Sequence, residues 1–404
     1  MRIVGIICEY NPFHTGHEHH INKIRNEFGE DTAIIAIMSG NYTQRGEIAV
    51  IDKSTRAEAA VKCGINLVLE LPFPFSSSSA EFFAKSGVKI ANELKIIDTL
   101  SFGSESGQID ALIKISENML SEDYKNEIQR LINSNSERNV GYPQLCEKAY
   151  VNIFGTLNRF FFSSNNILAI EYIKALKEQN SPITPHTVKR EGADYTEEKI
   201  TNKVYQSASA IRKTMFTDIY SALKYIPNNA RNIISSAFKN KKAPCDAERL
   251  SSAILSYFRL NLPSAECDIH DAGGGLYNRL KNASFEATSI STLTELADTK
   301  KYTSARIRRA MWNSFFGVTS SEVQELPRYT QVLAMDSVGR KILKEIKKTS
   351  DFPVITKPSA FDFMPEAAKR QKELADKADS VFQITKPSPT SGSQAMITSP
   401  IIID

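Results

Sequence analysis

Apolar and polar positions alternate along the first half of the chain in a way that predicts strands and helices in turn. Between the strands, apolar residues recur at helical spacing, as at Ile21, Ile24 and Phe28, and Gly29 ends that pattern. Short runs rich in Ile, Val and Leu predict five buried strands: RIVGIICEY, TAIIAIMSG, INLVLELPF, IDTLSFGSE and ITPHTVKRE. Strands that alternate with helices favour a parallel sheet covered by helices on both faces.

The strand signal fades after about residue 225, and the later periodic segments predict short helices. The helices predicted in the first half are DKSTRAEAAVKCG, SSAEFFAKSGVKIANELK, residues 108–137, NNILAIEYIKALKEQN and SASAIRKTMF. Those predicted later are AERLSSAILSYFRL, SISTLTELADTK, TSARIRRAMWNSFFG and GRKILKEIKK. We therefore predict an α/β domain over 1–222, a mainly α-helical region over 223–385 and an irregular tail over 386–404. The closing residues IIID are apolar enough to dock against another element.

Composition narrows the class of protein. A chain of 404 residues is too long for one compact core. Its net charge is only +4, so binding to a polyanion needs local clusters of Lys and Arg. Five scattered cysteines (Cys8, Cys63, Cys146, Cys245 and Cys267) form no C-x-x-C pair and predict no disulfide framework. With no signal-peptide layout and no membrane-spanning apolar run, we expect a cytoplasmic protein with no membrane partner.

Four of the six histidines lie in one seven-residue window, at the step from the first strand to the first helix. His14 lies in the loop and His17 opens the helix, where unpaired N–H groups and the helix dipole attract phosphate. Two imidazoles there can donate hydrogen bonds as negative charge builds on phosphorus. Gly16 lets the backbone approach a ligand. His20 lies one turn after His17 on the same face, whereas His19 is expected to face solvent.

The histidine cluster has two alternative interpretations, which stay open. In one it is an accidental surface feature, and in the other it binds a metal ion. H-x-x-H needs further ligands, and no neighbouring Cys or second His pair supplies them, so we predict no metal ligands. Phosphate chemistry is favoured over both.

The segment EYNPFHTGH resembles the H-x-G-H signature of the nucleotidylyltransferase superfamily, whose members cleave ATP between its α- and β-phosphates. SASAIRK, at 207–213, is similar to the second motif of that superfamily. The resemblance implies a Rossmann-like N-terminal domain with a parallel sheet. It implies that His14 and His17 are catalytic at the α-phosphate and that Ser209 and Arg212 hold the β- and γ-phosphates.

The resemblance extends to the bacterial tRNA(Met) cytidine acetate ligase family, over about residues 2–350. It is carried by VGIICEYNPFHTGH, MSGNYTQRGE, DKSTRAEAAVKCGINLVLELPF, SFGSE, NNILAIEYIKAL, TVKRE, GLYNRL and TKKYTSARIRRAM. Members of that family activate acetate with ATP to acetyl-adenylate. They then acetylate N4 of the wobble cytidine (C34) of elongator tRNA(Met), giving N4-acetylcytidine. The resemblance therefore implies ATP with Mg²⁺, acetate and tRNA(Met) as the molecules that bind.

The same resemblance implies which residues bind ATP. Asn165 alone reads as a helix cap and Arg190 as a solvated strand end, and only the resemblance gives them a role. The implied set is Ile7, Cys8, Glu9, Tyr10, Asn11, Pro12, Phe13, His14, Thr15, Gly16, His17, Glu18, His19, His20, Gly103, Asn165, Arg190, Ser209 and Arg212.

The segment MSGNYTQRGE follows a strand end, where open α/β sheets bind their ligands. We expect this loop to close over the substrate through Asn41, Gln44 and Arg45. Lys53 and Arg56 either neutralise acetate or a phosphate, or form the exposed basic first turn of a capped helix. Glu70, at the end of a buried strand, lies near the site or pairs with a structural partner.

Contact with tRNA is expected from clustered basic residues. TKKYTSARIRRAM carries Lys300, Lys301, Arg306 and Arg309, with both arginines off the apolar stripe of a helix and Tyr302 as a stacking surface. Two further basic groups are Lys239, Lys241 and Lys242, and Asn278 with Arg279. Which group meets the anticodon stays open.

Two alternative functions also stay open. One is a nucleotidylyltransferase that joins AMP to a small phosphorylated metabolite, and the other is a non-catalytic RNA-binding protein. Intact motif residues His14, His17, Ser209 and Arg212 argue against the second. Ser54, Ser164 and Gly274 depart from the residues that the family resemblance leads us to expect.

Overall fold

The computed structural model describes residues 1–134, 140–155, 161, 163–191, 205–260, 268–395 and 399–404. Within these residues eight strands form one sheet. In chain order the strands are β1 (Ile3–Cys8), β2 (Ala33–Ser39), β3 (Leu67–Leu71), β4 (Thr99–Ser104), β5 (Thr184–Lys189), β6 (Thr330–Met335), β7 (Val354–Ile355) and β8 (Ile401–Ile402).

The helices of the described residues alternate with the strands in the first half and follow one another in the second. They are α1 (Thr15–Phe28), α2 (Lys53–Lys62), α3 (Ala80–Leu94), α4 (Ile109–Leu120), α5 (Glu122–Asn133), α6 (Tyr142–Phe154), α7 (Ser164–Glu178), α8 (Ala208–Thr217), α9 (Ile219–Leu223), α10 (Asn228–Lys239), α11 (Ser251–Leu260), α12 (Leu276–Glu286), α13 (Ile290–Ala297), α14 (Ser304–Phe316), α15 (Ser320–Gln324), α16 (Ser337–Thr349) and α17 (Glu366–Phe382). Among the described residues, no helix is both long enough and apolar enough to cross a bilayer.

The sheet confirms the five predicted strands and their parallel arrangement. The strand order is β5-β4-β1-β2-β3-β6-β7, and β1 to β5 pair in parallel. The chain order reverses on either side of β1, because β4 lies on one edge of it and β2 on the other. Open α/β sheets bind ligands at the carboxyl ends of their strands at such a reversal. The histidine-rich segment begins at this position.

Helices cover both faces of the sheet, and the sheet separates two apolar cores. On one face α1, α2, α8 and α10 pack against inward residues such as Val4 and Ile6. On the other face α3, α4, α7 and α16 pack against Ile3 and Ile7. Alternate side chains of a strand point to opposite faces, so one short apolar run supplies both cores. A third core joins the C-terminal helices around Trp312.

The C-terminal part is mainly helical, as predicted, but it also returns to the sheet. β6 pairs antiparallel with β3, and β7 and β8 pair with β6. The pattern of TQVLAM did not reveal β6, because a short apolar run buried on both faces lacks a strand period. The expected docking of IIID is confirmed, since Ile401 pairs with Ala334. The boundaries 1–222, 223–385 and 386–404 stay a prediction.

The predicted helix over residues 108–137 is two helices within the described residues. Ser121 separates α4 from α5 and caps α5, because its Oγ accepts a hydrogen bond from the Tyr124 N–H. Serine favours such N-cap positions over helix interiors. Residues 135–137 of that prediction lie outside the described residues.

Candidate active site

The first turn of α1 is closed by two histidines that cap each other. His14 is the N-cap residue, and its Nδ1 accepts a hydrogen bond from the Gly16 N–H at 3.0 Å. The His17 Nδ1 in turn accepts the His14 N–H at 3.2 Å. A Cβ atom at residue 16 would lie only 2.8 Å from Cε1 of His14, so this cap requires Gly16. The H-x-G-H spacing therefore builds a helix start as well as a ligand site.

The cap also fixes where the two rings carry their protons. A neutral imidazole whose Nδ1 accepts a hydrogen bond carries its proton on Nε2. Burial, followed by the positive charges of Arg190 and Arg212, lowers the pKa of His14 to about 3. Burial also lowers the pKa of His17. Both rings are thus neutral donors through Nε2–H, and their centroids lie 3.8 Å apart.

One cleft at the carboxyl end of β1 gathers most of the predicted ATP-site residues. Those lining it are Ile7, Cys8, Glu9, Tyr10, Asn11, His14, Gly16, His17, His19, His20, Gln44, Arg45, Gly103, Asn165, Arg190 and Arg212. The predicted residues that do not line it are Pro12, Phe13, Thr15, Glu18, Ser209, Asn41, Lys53 and Arg56. The cleft therefore unites segments as far apart in the chain as Ile7 and Arg212.

The second motif meets the first directly. Arg212, on α8, donates from Nη1 to the Asn11 carbonyl at 3.0 Å. Its Nη2 donates to Glu47 at 2.8 Å and to the Ser209 Oγ at 3.2 Å. Of the two serines that could cap α8, Ser207 is the N-cap. Ser209 therefore stays beside Arg212, and its hydroxyl faces that guanidinium.

His19 and His20 both have protein partners. The expectation that His19 faces solvent is wrong, because its Nδ1 lies 3.1 Å from the Tyr205 hydroxyl. His20 Nε2 lies 2.8 Å from Ser101 Oγ, and that oxygen lies 3.0 Å from Nδ1 of His186. The contacts of His20 with Ser101, and of Ser101 with His186, hold α1 against β4 and β5.

Glu105 does not line the cleft but supports a residue that does, and sequence reasoning missed it. Its Oε1 accepts hydrogen bonds from the Asn165 N–H and side-chain amide at 3.1 and 2.7 Å. Its Oε2 accepts the Asn166 N–H at 2.7 Å. The interpretation of Asn165 as a simple helix cap is therefore wrong, because Glu105 supplies the acceptor and orients that amide. Its position in SFGSE, directly after a strand, was the available signal.

Comparison with known proteins decides the family. The HIGH Nucleotidyl Transferase family model matches residues 1–395. The tRNA(Met) cytidine acetate ligase of Thermoanaerobacter sp. is 38% identical over 368 residues, which cover 89% of this chain and 90% of that protein. The ligase of Clostridium perfringens is 35% identical over 417 residues and covers 100% of both. The chain belongs to the tRNA(Met) cytidine acetate ligase family.

Solved structures support this membership of the ligase family. The crystal structure of apo Thermotoga maritima TmcAL has a TM-score of 0.92, 28% identity and full coverage of both chains. The same protein bound with α-thio ATP gives a TM-score of 0.90. The fold of this ligase-family chain is thus shared with a protein that binds an ATP analogue.

In this member of the ligase family, the loop after β2 divides its predicted contacts between the cleft and the core. The Gln44 N–H donates to Glu9 Oε1 at 2.7 Å, and Arg45 donates to the Ser164 Oγ at 3.1 Å. Asn41 is buried and instead donates to Asp379 at 2.8 Å. Gln44 and Arg45 therefore remain candidates for substrate contact, whereas Asn41 anchors the loop.

Lys53 and Arg56 are not an exposed basic turn, and that expectation is wrong. Lys53 Nζ is bonded to Glu70 at 2.7 and 2.8 Å and to Asp379. Burial alone would lower the pKa of Lys53, and the charges of Asp379 and Glu70 outweigh it and raise the pKa. Arg56 donates to the backbone carbonyls of residues 9, 39, 40 and 51. Neither cation lines the cleft. Of the two alternatives for Glu70, the structural partner is the one observed, and that partner is Lys53.

We expect Lys53→Met to destabilise the protein by about 3–5 kcal/mol, because it leaves two buried carboxylates without their cation. Urea unfolding measures the loss. Lys62→Met removes an exposed lysine at the end of the same helix and should change stability by less than about 0.5 kcal/mol. Equal stability of the two variants would contradict the role of this ionic cluster.

Burial of the cleft histidines makes stability depend on pH. The pKa of His14 and of His20 is lowered to about 3, whereas an unfolded His titrates near 6.5. The unfolded chain therefore binds more protons between these values. This stability is complete above pH 6.5 and is lost as pH falls towards 3, by up to about 1.4 kcal/mol per pH unit per histidine. Urea unfolding between pH 7.5 and 4.5 should show a shallower slope for His14→Asn than for the wild type, and equal slopes would refute this assignment.

Part of the basic segment predicted to bind tRNA makes contacts within the folded protein instead of staying exposed. Arg309 is buried and paired with Asp271 at 2.7 Å, so it is not an exposed cation. Tyr302 is buried and its hydroxyl donates to the Gly274 carbonyl, so it offers no stacking surface. Arg306 donates to the carbonyl of residue 271 at 3.0 Å, and Lys301 to that of residue 274 at 3.2 Å.

Exposed lysines remain as candidates for RNA contact. Lys300 is exposed beside the buried part of this segment, and the group Lys239, Lys241 and Lys242 is exposed at the end of α10. In the third group, Arg279 donates to the carbonyl of Ala297 at 2.7 Å and so closes the end of α13.

Proposed function

We propose that this chain activates acetate with ATP and transfers the acetyl group to a cytidine of tRNA(Met), the reaction that the names of its relatives describe. The observation that carries the proposal is the contact between the two phosphate motifs. Arg212 of the second motif bonds the Asn11 carbonyl of the first, beside the paired imidazoles. This places a fixed cation and two neutral donors around one space.

In the first step an oxygen of acetate attacks the α-phosphorus of ATP. The bond from that phosphorus to the bridging oxygen breaks, and pyrophosphate leaves with the electron pair. Negative charge spreads over the phosphoryl oxygens during this displacement, and preorganised donors stabilise it. The Nε2–H groups of His14 and His17 supply such donors, and no proton has to move. Arg212 and Ser209 hold the leaving pyrophosphate, and Gly103, Asn165 and Arg190 complete the nucleotide pocket.

A magnesium ion would be held mainly by the phosphates and water. Among the described residues, no three His, Cys, Asp or Glu side chains come together as a metal cluster. Magnesium usually keeps several waters and one or two carboxylates beside substrate phosphates, and Glu9 is a carboxylate of the cleft wall. Magnesium would neutralise phosphate charge.

In the second step the N4 amine of the wobble cytidine (C34) of elongator tRNA(Met) attacks the acetyl carbonyl. AMP leaves, the amine loses a proton, and N4-acetylcytidine results. Lys239, Lys241, Lys242 and Lys300 are the exposed cations that we assign to the tRNA backbone, so affinity should fall as salt rises. We propose that the protein carries out this reaction in the cytoplasm.

The test is incorporation of ¹⁴C-acetate into total tRNA in the presence of ATP. Label recovered as N4-acetylcytidine in tRNA(Met), but not in a transcript with uridine at position 34, supports the proposal. ATP–pyrophosphate exchange driven by another acid and not by acetate would identify a different adenylating enzyme. RNA binding without any turnover of ATP would identify a non-catalytic protein.

A further inference from the structure

One hydroxyl that lines the cleft has no protein partner among the described residues. Tyr172, on α7, is 2% exposed, lines the cleft, and its Oη makes no hydrogen bond within the described residues. The remaining buried unpaired hydroxyls in that part of the chain do not line the cleft. Burial without a partner is costly for a hydroxyl, so such a group in a binding site indicates a ligand that accepts its hydrogen bond.

Apolar side chains flank the Tyr172 ring, while Cys8 and Glu9 are the ionisable groups that act on its hydroxyl. Phe102 packs on the Tyr172 ring with centroids 5.5 Å apart, and Phe83 of α3 and Leu168 of α7 line the same part of the cleft. Phe83 is 1% exposed and Phe102 3% exposed. An apolar wall that carries one hydroxyl able to donate fits a small molecule that has an apolar end and one hydrogen-bond acceptor.

The recess along this wall lies on the opposite face of the sheet from the phosphate motifs. His14, His17 and Arg212 belong to α1 and α8 on one face, whereas α3 and α7 cover the other. In a displacement at phosphorus, the attacking and leaving oxygens lie roughly in line on opposite sides. If Arg212 and Ser209 hold the leaving pyrophosphate, the attacking acid must approach from the side of α3 and α7.

We propose that this recess is the acetate subsite: the Tyr172 hydroxyl donates to a carboxylate oxygen, and Phe83, Phe102 and Leu168 enclose the methyl group. This inference rests on the proposed function. Burial raises the pKa of Tyr172, so the hydroxyl stays protonated and can donate. Arg45 lines the cleft and donates to Ser164 at the N-terminus of the same helix, and it is the cation that we assign to the carboxylate charge.

The first test compares Tyr172→Phe with the wild type in acetate-dependent ATP–pyrophosphate exchange and in ¹⁴C-acetate incorporation. We expect the KM for acetate to rise about 10- to 100-fold, the effect of losing a hydrogen bond to a charged group, with the KM for ATP unchanged. The Tm of the free protein should not fall, because the removed hydroxyl makes no hydrogen bond to the described residues. Those two readouts together separate a ligand contact from a structural one.

Tyr150→Phe is the matched control. The Tyr150 hydroxyl accepts a hydrogen bond from Asn118 at 2.8 Å and does not line the cleft. Its loss should lower the Tm and leave both KM values unchanged. Leu168→Ala adds a size test, because a larger recess should raise kcat/KM for propionate relative to acetate about tenfold.

The outcomes distinguish the two proposals. A wild-type protein without acetate-dependent exchange or incorporation removes the proposed function, and the subsite with it. An active wild type whose KM for acetate is unchanged in Tyr172→Phe overturns the subsite alone. A rise in the KM for ATP instead would assign the hydroxyl to the nucleotide and would also overturn it.

Discussion

Replacing His14 by Asn is expected to slow acetyl-adenylate formation about 100- to 1,000-fold in a protein that still folds. The amide oxygen of Asn can accept the Gly16 N–H as a helix cap, so the start of α1 is preserved. Asn has no Nε2–H, and loss of one preorganised donor to a developing oxyanion costs this much in rate. Acetate-dependent ATP–pyrophosphate exchange measures the effect.

His17→Ala completes this experiment at the second imidazole. It removes the other Nε2–H and the acceptor for the His14 N–H, so we expect a similar loss of rate together with a lower Tm. His270→Ala is the control, because His270 lies in the C-terminal part and does not line the cleft. Normal exchange rates in both His14→Asn and His17→Ala would exclude the neutral-donor mechanism.

Arg212→Lys should lower kcat/KM for ATP about 100-fold. The Arg212 guanidinium contacts the Asn11 carbonyl, Glu47 and Ser209 at once, and an ammonium group cannot reproduce that forked geometry. Since the β- and γ-phosphates are its proposed ligands, exchange assayed against ATP concentration reports the loss.

Arg231→Lys is the matched control for Arg212→Lys. Arg231, on α10, donates to the Ile226 carbonyl at 2.9 Å outside the cleft. Its variant should lower stability slightly and leave kcat/KM for ATP unchanged. The proposal is wrong if Arg212→Lys behaves like this control.

Most of the phosphate site could be predicted from local sequence patterns. A buried strand, a turn and a helix start are encoded within about twenty residues, so H-x-G-H predicts both its own structure and its position. The second motif is equally local, although its contact with Asn11 joins residues 201 positions apart. The five parallel strands were predictable for the same reason, because each is a short apolar run with turn residues beside it.

Residues whose role depends on distant partners were not predictable. Lys53 reads as an exposed cation until Asp379, 326 residues later, is placed beside it. Arg309 is similar, because Asp271 lies 38 residues before it and on another element. Tyr172 has the spacing of an ordinary core residue in a helix, and only the absence of a partner for its hydroxyl in the described residues distinguishes it.

The contact of Lys53 with Asp379 has a consequence for synthesis of the protein. The N-terminal half emerges from the ribosome first and can begin to fold alone. Its Lys53, however, meets one of its two carboxylates only when α17, near the end of the chain, has been translated. The loop that carries Gln44 and Arg45 is anchored through the same carboxylate by Asn41. A nascent or truncated chain that ends before residue 379 thus lacks that anchor, so we expect the loop to reach its final position only once α17 has been translated.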